Sequence, residues 1–170
     1  SSIGVLSKIP SAADLLGDLM TGERLVGAAL TEQQEFAANG APGKFGARTK
    51  NGSLSGYFPC IPLAFHMHSF IVPAEGKASN QLYLVEAGTP GVNLKAKSLS
   101  DGSIAADLTL ENVAVNNIRS LATGEEAKFA LTFGRTLGRI AASSYLVGLA
   151  EGILDITLDY LKTREQFGKP

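Results

Sequence analysis

The feature that most constrains this chain is a proline-free stretch from Glu125 to about Phe167, in which apolar residues recur every three to five positions. Phe129, Phe133, Leu137, Ile140, Tyr145, Leu149, Ile153, Ile156 and Leu161 follow helical spacing. Small residues cluster at its centre: Gly138, Ala141, Ala142, Ser143, Ser144 and Gly148. Charges return near the end, at Asp155, Asp159, Lys162, Arg164 and Glu165. A helix of about 40 residues spans ~60 Å at 1.5 Å per residue. A globule of this size cannot bury such a rod, so the pattern predicts packing against partners outside this segment or from another subunit.

The rest of the chain has a different grammar. Glycines and prolines concentrate before residue 125. Short apolar runs are split by Gly, Asn, Ser and Pro clusters: Leu25 to Leu30, Gly56 to Ile61, Ser69 to Val72, Gln81 to Glu86, Val92 to Ala96, and Ile104 to Val115. These read as strands. In the last, Leu108, Leu110, Val113 and Val115 alternate with Thr109, Glu111 and Asn112, as a half-buried strand requires. Residues 34–55 carry no assignable pattern. Before the strands, Pro10-Ser11-Ala12 opens a helix with Ser11 as its N-cap, and Thr21-Gly22 closes it.

The expected fold is therefore α+β: an antiparallel β-barrel or sandwich middle domain flanked by a short N-terminal helix and a long C-terminal helix. The expected boundaries are 1–20, 21–120 and 121–170. The chain breaks off on Phe167-Gly168-Lys169-Pro170, directly after the helix, and reads as a segment of a longer protein.

Composition excludes several function classes. A formal net charge of -1 gives no electrostatic case for a nucleic acid or an anionic membrane surface. One cysteine, Cys60, rules out an intramolecular disulfide and a cysteine-based zinc cluster, and fits a cytoplasmic location. No uninterrupted apolar run reaches the roughly 18 residues of a membrane span, so none is expected. His66 and His68 would share one face of a strand, but no third ligand stands at ligand spacing, and no metal is expected. Gly40 to Gly46 lacks the Lys-Ser/Thr ending of a phosphate loop.

The end of the long stretch carries the most specific string. Tyr160-x-x-x-Arg164-Glu165-Gln166-Phe167-Gly168-Lys169, with Gly148-Leu149-Ala150-Glu151-Gly152-Ile153-Leu154-Asp155 in register before it, resembles the end of the first long C-terminal helix of acyl-CoA dehydrogenases. Ala28-Ala29-Leu30-Thr31-Glu32 is similar to the entry of that family's middle domain. The two matches lie at opposite ends of the chain, in the family's order.

The resemblance implies FAD as cofactor, an acyl-CoA substrate, an electron-transfer partner, and a homo- or hetero-oligomer, dimer or tetramer. It implies flavin contacts from Thr31 and, toward a neighbouring subunit's FAD, from Arg164, Gln166 and Phe167. Arg139 is a weaker substrate-side candidate. The reaction implied is α,β-dehydrogenation of an acyl-CoA thioester to a 2-enoyl-CoA, with a glutamate base. Gly138 occupies one position where some members carry that base; most supply it from a later loop, which would lie beyond Pro170.

There are departures too. Gln33-Gln34-Glu35-Phe36 replaces the family's Pro and Gly-Ser-Asp. In the best alignment Gly56 keeps a family glycine, but Cys60 stands where an aromatic stacks on the flavin and Pro62 where a threonine bonds it. Cysteine offers no ring, and proline neither hydroxyl nor N–H. The alternative expectation is thus a degenerate subunit that retains no FAD itself and completes a partner's flavin site.

Overall fold

The structure is a computed structural model that describes residues 2–30, 46–76 and 79–168. It divides into two units, residues 1–135 and 136–170.

In the first unit, α1 (Ser2–Leu6) and a 3-10 turn (Pro10–Ala12) lead into α2 (Ala13–Thr21). Gly22 ends α2 at φ 79°, a left-handed conformation that only glycine adopts without cost. Among the described residues eight strands follow: β1 (Val26–Ala28), β2 (Gly46–Lys50), β3 (Ser53–Pro62), β4 (Ser69–Glu75), β5 (Asn80–Glu86), β6 (Val92–Ser98), β7 (Ile104–Ala114) and β8 (Arg119–Thr123). They form one sheet in the order β6-β7-β3-β2-β4-β5-β8, with β1 alongside β4. Most pairs are antiparallel; β1–β4 and β2–β4 are parallel.

β4 shows how the sequence sets the layers. Its residues alternate between two apolar clusters: Phe70 and Val72 face one, Ile71 the other. The first cluster joins Leu54 and Phe58 of β3, Tyr83 and Val85 of β5, and Leu108, Leu110 and Val113 of β7. The second packs Val5, Leu6, Ile9 and Leu15 of the N-terminal helices against Ile71, Leu82, Leu84 and Leu121, with Ala127 and Ala130 from the start of α3 (Gly124–Thr163). Burial on both faces explains why β4 reads as a nearly unbroken apolar run.

Two expectations need correction. Ser11 does not cap a helix: its hydroxyl donates to the Leu121 carbonyl at 3.2 Å, and α2 begins after Ala12 without a side-chain cap. His66 lies in a 3-10 turn (Ala64–His66) and His68 precedes β4, so they do not share a strand face. Averaged over 18 residues, α3 is long and apolar enough to cross a bilayer by length and composition, although no uninterrupted apolar run reaches that length. The strands over 46–50 and 119–123 were not foreseen.

In the second unit, residues 136–163 continue α3 and residues 164–168 form a turn. Leu146, Val147, Leu149, Ile153, Leu154 and Ile156 are all exposed. At 100° per residue they fall within about half of the rod's circumference, a face far broader than a narrow stripe.

Candidate cofactor-binding site

Two loci carry the residues singled out from the sequence, one in each unit.

The first is the end of β3. Its ladder with β7 slips between Phe58 and Ile61, giving a β-bulge. Cys60 sits in that bulge with φ 53°, and its side chain is exposed. The Cys60 amide donates to Asp107 Oδ1 at 3.0 Å, and the Tyr57 hydroxyl donates to Asp107 Oδ2 at 2.5 Å. Lys97 Nζ of β6 lies 2.9 Å from the same oxygen. Asp107 is only 5% exposed. Burial alone would raise its pKa, but Tyr57, Lys97 and the Cys60 amide outweigh that and hold it down at about 2. The buried carboxylate in turn raises the Tyr57 hydroxyl and the Lys97 ammonium.

Beyond the bulge, Pro62 pairs with Ala105 and Leu63 adopts φ 54°. Leu63 and Phe65 are 56% and 52% exposed, which gives this rim an apolar surface. Gly56 lies upstream against β2. A Cβ there would fall 2.5 Å from the Gly46 carbonyl oxygen and 2.6 Å from Ala47 Cα. Its lack of a side chain is what lets the two strands close.

The isoalloxazine ring carries oxygen and nitrogen acceptors that need N–H or O–H donors when removed from water. At this strand end the Cys60 N–H is already taken by Asp107 and Pro62 has none. Cysteine at position 60 offers no ring to stack on. Among the described residues, Cys60 and Pro62 do not fit a flavin ring at this edge.

The second locus is the turn after α3. The Arg164 amide donates to the Tyr160 carbonyl at 2.9 Å, closing the last helical turn. The Arg164 guanidinium lies 5.3 Å from the centroid of the Tyr160 ring, within the range of a cation–π contact. Phe167 and Gly168 follow with φ 53° and 73°, two successive left-handed residues that turn the chain sharply. The Phe167 ring is fully exposed. A guanidinium with a planar fork of donors, beside an exposed ring, fits a pyrophosphate and an adjoining aromatic group.

Arg139 and Gly138 are adjacent on α3, with Arg139 exposed. Thr31 and the Gln33 to Phe36 run lie outside the described residues, as do Gly40 to Phe45. Among the described residues, no group of three His, Cys, Asp or Glu side chains is arranged to hold a metal.

Sequence reasoning missed the cluster around Asp107. Its one signal is a carboxylate inside the apolar run Ile104-Ala105-Ala106-Asp107-Leu108, where an unpaired charge could not be buried. It also missed a polar corner where Arg24 pairs with Glu86 and lies 3.4 Å from the buried Ser69 hydroxyl. There the Leu25 amide donates to His68 Nδ1 at 3.0 Å.

The chain is similar to known proteins over most of its length. It is 29% identical over 165 residues to an acyl-CoA dehydrogenase of Bacillus subtilis, covering 90% of this chain and 43% of that protein. It is 33% identical over 102 residues to a probable short/branched chain specific acyl-CoA dehydrogenase of Dictyostelium discoideum, covering 58% of this chain and 24% of that protein. Among solved structures, the ChsE4-ChsE5 complex from Mycobacterium tuberculosis aligns over 99% of this chain and 45% of its own, with TM-score 0.77 and 24% identity. That likeness is one of fold. No family model matches the chain. The chain spans less than half the length of each of these proteins.

Proposed function

We propose that over the segment it spans the chain is a member of the acyl-CoA dehydrogenase family, to whose proteins it is similar in sequence, and that it forms part of an FAD-dependent enzyme for the α,β-dehydrogenation of an acyl-CoA thioester to a 2-enoyl-CoA. In this reading residues 1–20 close an N-terminal helical domain, 21–120 are the middle β-domain, and 121–170 carry the first long helix of the C-terminal domain. The flavin supplies hydride acceptance when bound, and an electron-transfer partner receives the electrons. The protein works in a cytoplasmic homo- or hetero-oligomer.

The observation that carries the reading is the turn after α3. Arg164 in cation–π range of Tyr160, and the exposed Phe167 at a left-handed position, suit contacts to the FAD of a neighbouring subunit. Gln166, between them, adds an amide that both donates and accepts. Thr31 is retained as a flavin contact and Arg139 as a substrate-side residue, both on the family resemblance.

A second reading is favoured by the β3 end. With the Cys60 amide committed to Asp107 and a proline at 62, the chain is a degenerate subunit. It leaves its own β-domain without flavin and completes the site of an active homologue. The α3 helix is then a packing element between subunits. Its most apolar stretch includes Glu151 and Asp155, each of which would cost roughly 2.5–3.5 kcal/mol at a bilayer centre.

Arg164→Ala in the full-length oligomer tests the reading. Losing a charge-assisted contact to the cofactor should weaken FAD retention by roughly tenfold or more while oligomer size stays unchanged. Unaltered FAD affinity would contradict it.

A further inference from the structure

We propose that Asp107 is a positioning residue that closes the β3 end to a flavin ring. The inference rests on the second reading above, that this β-domain does not hold its own FAD, and names what enforces it.

The geometry gives Asp107 one role at each oxygen. Oδ1 accepts the Cys60 amide at 3.0 Å, and Oδ2 accepts Tyr57 at 2.5 Å with Lys97 Nζ at 2.9 Å. The carboxylate is buried, so leaving Oδ1 without a donor would expose the cost of an unsatisfied charged acceptor. Tyr57 and Lys97 hold Oδ2 from the adjoining strands β3 and β6, which keeps the group from swinging aside. Cys60 is thereby fixed in its bulge with φ 53° and its N–H turned toward β7. For that N–H to serve a ligand at the strand end, the Asp107 bond must break first. Restoring side chains at 60 and 62 therefore should not suffice while Asp107 is present.

The test uses the full-length protein and FAD itself. The forms compared are wild type, the double variant Cys60→Tyr/Pro62→Thr, and that double variant combined with Asp107→Ala. Asp107→Leu, which fills the volume but accepts no hydrogen bond, serves as a second route should the alanine form fold poorly. Amide hydrogen exchange in wild type and in the single variants of Asp107 follows Cys60, with Phe58 and Leu108 as controls in the same ladder.

Removing the acceptor should speed exchange at Cys60 by about tenfold and leave the controls unchanged; Asp107→Asn, which keeps an acceptor oxygen, should stay near wild type. The triple variant should retain FAD about tenfold more tightly than the double. Equal retention by double and triple variants, at any level, would overturn the role of Asp107, as would unchanged Cys60 exchange. A wild-type chain that retains one FAD unaided would instead overturn the second reading itself.

Discussion

Arg119 on β8 grips Asp14 on α2 through two contacts of 2.7 and 2.9 Å, and donates a third bond of 2.6 Å to the Ser11 carbonyl. The fork joins residues 105 apart in sequence and ties the N-terminal helices to the sheet edge. It also holds the Asp14 carboxyl down at about 2, chiefly through the Arg119 hydrogen bond. Arg119→Met keeps the aliphatic stem but removes all three bonds. Amides of α2 should then exchange several-fold faster, while those of β3 and β7 keep their protection. Uniform loosening of both regions would argue against so local a role.

Gly56 predicts a packing failure. Alanine there would drive its Cβ into the Gly46 carbonyl and the Ala47 backbone, none of which is a flexible side-chain end. The expected loss is ~1–3 kcal/mol, the usual scale of overpacking. Urea unfolding of Gly56→Ala measures it, and a midpoint at or above wild type would refute it.

Asp107 and Asp14 fix the acid limb of stability. Both carboxyls are lowered from 3.8 to about 2 in the folded protein. A depressed folded pKa adds stability that is complete above the unfolded value and lost as pH falls through the folded one. Their contribution should be full above about pH 4 and fade toward about pH 2. Asp107→Asn should flatten the pH dependence in that window and leave its slope at neutral pH unchanged. A series of urea midpoints between those limits reads the effect directly.

The exposed rod predicts association. Tyr145 and Ile156 are 72% and 73% exposed among other large apolar side chains of α3. Leu149→Lys with Ile156→Lys should weaken self- or partner association by roughly tenfold or more. Sedimentation velocity is the readout, and a chain truncated before Gly138 should lose association in the same way. An unchanged oligomer in both would remove the helix from the interface.

Much of the fold was legible because burial and period coincide. The alternation of Leu108, Leu110 and Val113 names its own face, and the unbroken apolar run Phe70 to Val72 marks a strand buried on both. β2 was not legible, since Gly46-Ala47-Arg48-Thr49-Lys50 has one buried side chain and is held by pairing on both sides. Ser11 misled because a capping residue and a distant carbonyl's donor look alike in sequence. Of the candidate site, the Arg164 to Gly168 turn was visible as a string. The Asp107 cluster was not, because its partners Tyr57, Cys60 and Lys97 come together only when three strands align.

The most direct measurement is the flavin content of the full-length protein, purified alone and then with a homologous partner subunit, from the visible flavin absorbance per chain. On the degenerate-subunit reading, the protein alone carries little or no flavin, and about one FAD per pair of unlike chains appears once the partner is added. One FAD per chain without any partner would contradict the degenerate reading, and no flavin under either condition would contradict the proposed flavin-site role altogether.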